Sequence, residues 1–411
     1  MLKNIEFDNF KCLTGKSFDL DKVNIFTGYN GRGKSSVMQA VLMLSQSVRK
    51  DDLTSFKYLH VNGDWVKLGD FDELLADEND YGFNLSMTLS DNTTDHIVLL
   101  RYEMSDDYKI GVLKKCEIDG EDYFDTLSSI SSNADENKEK SDAGDLKQLP
   151  VFLYNHFWSQ NLHYVSADRQ GPVNFVAREE VPEFFRVGAD GSQTINTLSS
   201  YQDSVDNKMN VDSNDDSRYD LLTAVTNWVS EIMNGGSVRV EGLSSKEKDK
   251  MVNLKKSTIL KLNFDVKNEG HDYPSYNVGF GYSYILSIVV TALIAKSGDI
   301  VIIENPEAHL HPEAQTRLTF LLAKLGARGV QVFVETHSEH VINGFRLAAL
   351  KEEYKLKNDD IRIFFFDQDF SKVDLIIEKT GRIPNWPDRF FDQYQHELAE
   401  ILKLGAQQHA G

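Results

Sequence analysis

The chain has 411 residues, 41 % hydrophobic and 26 % charged, values of an ordinary globular protein with ample material for a core. Its 44 Lys and Arg stand against 64 Asp and Glu, a formal net charge of −20 that repels nucleic acid and anionic membranes unless a local basic patch intervenes. The two cysteines, Cys12 and Cys116, exclude a disulfide framework, and the longest apolar run, 285–295, is far too short to span a bilayer, so a cytoplasmic protein is expected.

The N-terminus opens on a strand pattern, Leu2, Ile5 and Phe7. Residues 23–27 (VNIFT) read as a buried strand, and 34–49 as a helix with Val37, Ala40, Val41, Leu44 and Val48 at helical spacing. A glycine loop, 28–35 (GYNGRGKS), joins the two. Backbone N–H groups that converge on phosphate oxygens tolerate no intervening side chains, which accounts for Gly28, Gly31 and Gly33, and the helix N-terminus adds a favourable dipole. On this reading Asn30, Gly31, Arg32, Gly33, Lys34, Ser35 and Ser36 bind nucleotide; Lys34 reaches the terminal phosphates and the Ser35 hydroxyl ligates Mg²⁺.

Residues 51–277 read as an elaborated insertion between two halves of one core, 1–50 and 278–411. Within it, 128–148 is polar with almost nothing to bury and is expected to be a disordered loop, as is the acidic stretch 204–220. Residues 163–166 (HYVS) read as a strand, whereas 246–256 mixes five lysines with acids and apolar residues and reads as a solvated helix face. No repeat of fixed period and no coiled-coil heptad run is present.

The second half is more regular. Residues 300–303 (IVII) and 330–334 (VQVFV) are short β-rich runs separated by a helix over 312–325, a spacing that suggests a parallel sheet covered by helices, extended by 361–366 and 373–377. The first run ends in Glu304, an acid placed to hold a Mg²⁺-bound water opposite Ser35. In the next position, where a hydrolytic ATPase usually carries a glutamate, stands Asn305; Glu307 follows, and the turn at Pro306 would bring it toward the crevice. The second run leads into Glu335-Thr336-His337, and His337 at a strand's C-terminal end can donate a hydrogen bond to a γ-phosphate. The catalytic candidates are therefore Glu304, Asn305, Glu307 and His337, with Ser35 and Glu304 on the metal. Glu304, Glu307, His309, His311, Glu335, His337 and His340 also form a His/carboxylate set, but their spacing matches no zinc motif. Asp367-Gln368-Asp369 reads as a loop rather than a nuclease centre.

Together, 28–35, 304–312 (ENPEAHLHP) and 335–338 (ETHS) resemble the ABC-type ATPase heads, including the Rad50/SMC heads and the stand-alone bacterial ATPases related to the overcoming-lysogenization-defect proteins. The opening 5–11 (IEFDNFK) is similar to the first strand of those heads, and the tail 381–392 (GRIPNWPDRFFD) resembles a C-terminal segment of one bacterial subgroup. The resemblance implies an α/β P-loop NTPase, an ABC-ATPase head with a mixed sheet flanked by helices, that uses ATP and Mg²⁺. It also implies heads acting in pairs, each supplying a signature loop to the nucleotide held by the other. The matching segment is 278–283 (VGFGYS), opening a helix over 284–295, so Gly281 and Ser283 are expected at the partner copy's γ-phosphate. The usual Leu-Ser-Gly-Gly pattern is absent. The implied partners are a second copy, in a homodimer or higher oligomer through that ATP sandwich, and an effector such as a nuclease in an anti-phage system or toxin module, with no membrane. The expected function is a slow ATP hydrolase whose pairing regulates such an effector. The alternatives are a Rad50/SMC-like nucleic-acid-binding ATPase, which the charge and the missing coiled coil disfavour, and a scaffold that binds ATP with little hydrolysis, which Asn305 keeps open.

Overall fold

The computed structural model describes residues 1–48, 57–77, 79–90, 94–105, 110–123, 157, 161–179, 187–201, 205–244, 247–252, 258–267, 269–387 and 390–409. Strands covered on both faces need apolar residues at nearly every position, and the central sheet is built from such runs. Among the described residues it comprises β3 (Val23–Gly28), β9 (Leu162–Val165), β15 (Ile300–Glu304), β16 (Gln331–Glu335), β17 (Ile361–Phe366) and β18 (Lys372–Leu375), in the order β18-β17-β3-β16-β15-β9. Neighbours are parallel except in the hairpin of β17 and β18, so the sheet is mixed. The Asp367-Gln368-Asp369 segment is the turn of that hairpin, closed by the Asp367 N–H donating to the Ser371 carbonyl at 3.0 Å.

Alternate side chains of these strands enter two cores. Ile25, Val301, Ile303, Val332, Val334 and Ile363 face one, and Phe26, Ile300, Ile302, Phe333 and Phe364 face the other. The first core is closed by α2 (Thr194–Ser200), α3 (Leu221–Met233), α4 (Phe280–Ile294), α5 (Pro312–Ala327) and α6 (Glu339–Leu350), through side chains such as Leu198, Trp228, Ile288, Leu321 and Phe345. The second takes Val37, Met38 and Val41 of α1 (Lys34–Ser47) and the inner face of an antiparallel sheet. That sheet runs β2-β1-β5-β6-β7-β4, with β1 (Leu2–Asp8), β2 (Lys16–Asp19), β4 (Tyr58–His60), β5 (Gly82–Ser90), β6 (Asp95–Met104) and β7 (Ile110–Ile118), and β8 (Glu121–Asp122) on β7. The Gln331 side chain locks the two sheets together, donating to the Leu2 carbonyl at 2.6 Å and accepting from the Leu2 N–H at 3.0 Å. A smaller antiparallel sheet runs β10-β13-β11-β12, with β10 (Phe175–Ala177), β11 (Ser237–Ser244), β12 (Glu247–Val252) and β13 (Ile259–Asp265), and β14 (Tyr273–Pro274) on β13. The C-terminal α7 (Gln393–His409) leaves Tyr394, Leu398, Ile401 and Leu402 exposed.

Residues 51–277, read as an elaboration between two halves of one core, supply strands to two sheets: β9 is an edge strand of the central sheet, and β5 pairs with the N-terminal β1. Two expectations need correction. Residues 205–220, expected to be disordered, are tied down by backbone carbonyls. Met209 accepts from Trp228 Nε1 at 2.6 Å, and Asn210 accepts from Lys324 Nζ at 2.5 Å. Asp220 also caps α3, accepting from the Thr223 N–H at 3.1 Å. The lysine-rich stretch expected as a helix face is, over 247–252, the strand β12 at the edge of the smaller sheet. The other disordered loop expected, 128–148, lies outside the described residues, as does residue 204.

Candidate functional site

The C-terminal ends of β3, β16 and β15 place Gly28, Glu335 and Glu304 along one rim of the sheet, with Glu304 and Glu335 directly in register. The chain leaves β3 through a loop that only glycine fits at its first position. Gly28 has φ +116, and a Cβ there would lie 2.2 Å from the Phe366 carbonyl oxygen of the neighbouring β17. Gly33 has φ +105 and would collide with Cys12 Sγ at 2.7 Å. The loop then enters α1 at Lys34, so the free N–H groups of the first turn face the hollow.

Lys34 is buried and donates to the Gly28 and Tyr29 carbonyls at 3.2 and 2.8 Å. Burial lowers its pKa from the ordinary lysine value, against the pull of Glu335. The Ser35 hydroxyl donates to Glu335 Oε2 at 2.7 Å. Glu335 is thus the carboxylate in direct contact with Ser35, while Glu304 lies across the cleft, accepting from Tyr164 Oη at 3.1 Å and the Ala167 N–H at 3.0 Å. Burial raises the Glu335 pKa, the Ser35 bond and Lys34 work against it, and the negative charges of Glu304 and Glu307 add to it.

Asn305 sits at φ +44, a left-handed conformation that asparagine tolerates better than most residues. Its N–H donates to the Glu335 carbonyl at 2.8 Å, and its buried side-chain Oδ1 has no hydrogen-bond partner among the described residues. Glu307 is engaged elsewhere: it accepts from Thr336 Oγ1 and from the His337 N–H, each at 2.8 Å. The carboxylate expected to swing toward the crevice instead fixes the segment that carries His337. Burial, then the charge of Lys34, lowers the His337 pKa, with Glu307 opposing, which favours the neutral imidazole.

The hollow enclosed by these groups has a volume of about 460 Å³ and is lined by Asn30, Gly31, Gly33, Lys34, Ser35, Ser36, Glu304, Asn305, Glu335 and His337, with Lys11, Cys12 and Ala167 completing the wall. Larger hollows exist elsewhere on the molecule, but without a phosphate loop. Arg32, expected to bind nucleotide, points to the β17–β18 turn, where its guanidinium lies 4.3 Å from the centre of the Phe370 ring. Gly281 and Ser283 lie in the first turn of α4, outside the hollow. A Cβ on Gly281 would come within 2.9 Å of the His309 carbonyl, so this glycine allows the 305–311 loop to pack against α4.

Sequence reasoning missed a clamp on this site. Arg169, after β9, is 4 % exposed; Nη1 donates to the Ser166 and Glu304 carbonyls at 3.1 and 2.7 Å, and Nη2 to the Asn305 carbonyl at 2.7 Å. Its guanidinium lies 5.4 Å from the centre of the Tyr284 ring on α4. The apolar 163–166 run was the available signal for that neighbourhood, and a second apolar strand ending in glutamate was the signal for Glu335.

Mg²⁺ suits the donors present. Ser35, Glu304 and Glu335 offer hard oxygens to one hollow. Among the described residues no group of three or more His, Cys, Asp or Glu is arranged to hold a metal alone. Of the proposed transition-metal set, His311 instead caps α5, and His309 packs 4.5 Å from the Tyr284 ring centre. No helix among the described residues is long and apolar enough to cross a membrane.

A family model for the AAA ATPase domain matches residues 1–342, and a second, described as a protein of unknown function (DUF3696), matches residues 356–401. No curated protein matches the chain. Among solved structures the chain is similar to an SMC head bound to the C-winged helix domain of ScpA, at 12 % identity over 92 % of this chain and 98 % of that one, with a TM-score of 0.49. It is also similar to the SMC head domain from Thermotoga maritima (12 % identity, 92 % and 99 % covered, TM-score 0.43) and to the recombination mediator RecF (14 %, 89 % and 95 %, 0.40).

Proposed function

The chain belongs to the AAA ATPase domain family, and from that premise we propose that it binds Mg²⁺–ATP in the phosphate-loop hollow, hydrolyses it slowly, and pairs with a second copy when ATP is bound. The observation that carries this reading is the convergence of Lys34, Ser35, Glu304, Glu335 and His337 on one hollow at the mouth of a glycine loop. The loop N–H groups and Lys34 hold the phosphates, and the neutral imidazole of His337 donates to the terminal one. Ser35, Glu304 and Glu335 would hold Mg²⁺, whose chemistry would be to neutralise phosphate charge. Asn305 orients the attacking water through its unpartnered Oδ1, while Glu307 acts at one remove by fixing the His337 backbone. An amide cannot accept the water's proton, and loss of a general base costs about 10²–10⁴ in rate, hence slow turnover. The same observation favours, as a second reading, a scaffold that holds ATP with scarcely any hydrolysis.

Pairing is proposed through the N-terminus of α4, where Gly279 and the 55 % exposed Phe280 are open, while Gly281 and the Ser283 hydroxyl just behind them are buried and would have to be uncovered to meet a second copy's nucleotide. The proposed output is control of a partner effector protein, such as a nuclease in anti-phage defence. Nucleic-acid binding is the competing output, and the net charge of −20 opposes it. Calorimetric titration with ATP and Mg²⁺ tests the central step: Lys34→Ala should abolish binding without unfolding the chain, and wild-type affinity in that variant would end the proposal. Sedimentation should show a mass increase with ATP that ADP does not produce.

A further inference from the structure

Away from the phosphate loop, at the opposite end of the central sheet, lies a hollow of about 610 Å³ whose lining includes Lys208, Arg218, Lys296 and Arg328. Its walls are the short helical turn Asn207–Met209, the C-terminal end of α4, and Arg328 just after α5. Those elements lead into the N-terminal ends of β15 and β16, whereas the nucleotide hollow sits at their C-terminal ends. Strands of this length separate the two by roughly 16 Å.

The charge of this hollow contrasts with a chain of net charge −20. Among the described residues Asp206 is the one acid in its lining, and Asp299 lies near enough to act on the charge of Arg328. The carbonyl end of α4 adds about half a negative charge, which leaves a clear positive excess. The Arg328 side chain is 8 % exposed, and its ion-pair partner Asp206 stands 3.8 Å away, beyond hydrogen-bond distance. Burying a guanidinium is costly, and Asp206, Asp299 and Tyr201 offset that cost only in part, since burial still lowers the Arg328 pKa. Among the described residues, Lys208, Arg218 and Lys296 have no ion-pair partner at all.

We propose that this hollow is a second binding site, for an inorganic oligophosphate, a small anion of two or more linked phosphates with no base or sugar. Guanidinium forks match phosphate oxygens in pairs, and lysines add point charges around them. The volume falls within the range of small-molecule sites, about 300–1,000 Å³. A concave hollow of that size favours a compact anion over the convex backbone of a duplex.

The test is calorimetry on the full chain with inorganic tripolyphosphate. In the Lys34→Ala variant, whose phosphate loop is disabled, one tripolyphosphate per chain should still bind. Adding Lys208→Glu and Arg218→Glu, both at exposed positions, should weaken that binding at least tenfold. The same two reversals without Lys34→Ala should leave ATP binding at the phosphate loop intact, which also shows that the chain is folded. Absence of tripolyphosphate binding in Lys34→Ala, or binding indifferent to the two reversals, overturns the proposal. A short DNA duplex that binds more tightly than tripolyphosphate and is weakened by the same reversals overturns it as well.

Discussion

Replacing Arg169 by alanine should separate chemistry from nucleotide binding. Three hydrogen bonds run from its guanidinium to the carbonyls of Ser166, Glu304 and Asn305, fixing the strand end that carries the metal-side acid. Hydrogen bonds involving a charged group contribute about 1.5–3 kcal/mol each. Burial opposes the charge and lowers the Arg169 pKa, so part of that gain is already offset. A net loss of about 3–5 kcal/mol is expected, as for breaking other buried charged contacts. A domain with ordinary stability of about 5–15 kcal/mol survives that loss, and the melting temperature of a chain of 411 residues should fall by roughly 3–6 °C. ATP affinity should change little, because Arg169 does not line the nucleotide hollow. Hydrolysis should drop by at least tenfold as Glu304 and Asn305 lose their fixed positions. Arg169→Lys, which keeps the charge but not the fork, should fall between. Thermal melting, ATP titration and turnover on the three proteins check this. A variant that melts and turns over like wild type, or whose ATP affinity falls in step with turnover, would refute the clamp.

Glu335→Gln should stabilise the nucleotide-free chain. Burial raises its carboxyl pKa in the fold, so the folded chain holds a proton that the unfolded chain releases, and stability is lost as pH rises from the unfolded value through the folded one. The variant should therefore melt higher than wild type at pH 7, with the advantage gone below the ordinary glutamate pKa, yet bind Mg²⁺–ATP more weakly; equal melting at both pH values would contradict this. Asn305→Glu places a carboxylate at φ +44, with strain of about 1–2 kcal/mol. It should lower the melting temperature while leaving turnover at or above the wild-type rate, and slower turnover would show that a carboxylate at this position cannot serve as the base.

The parts that were legible in the sequence are those whose local pattern and tertiary role coincide. The run 23–27 followed by glycines, and 300–303 followed by Glu304, read correctly because a strand buried on both faces is apolar throughout and ends where the polar site begins. β9 was visible as a strand, but neither its membership of the central sheet nor the role of Arg169 beyond it could be read, since both depend on pairing with a strand more than 130 residues away. Residues 205–220 misled because composition measures what a segment can bury, whereas this one is held by its backbone carbonyls. Glu307 misled for a related reason. Its nearness to Glu304 in sequence suggested a shared crevice, but its hydrogen bonds reach Thr336 and His337.

The most direct measurement of the central claim is a single-turnover ATP hydrolysis assay on purified wild-type chain and Glu304→Gln. Slow but measurable hydrolysis in the wild type, lost in Glu304→Gln while ATP stays bound, is the predicted result. Equal rates in the two proteins would contradict the assignment of this hollow as a hydrolytic site.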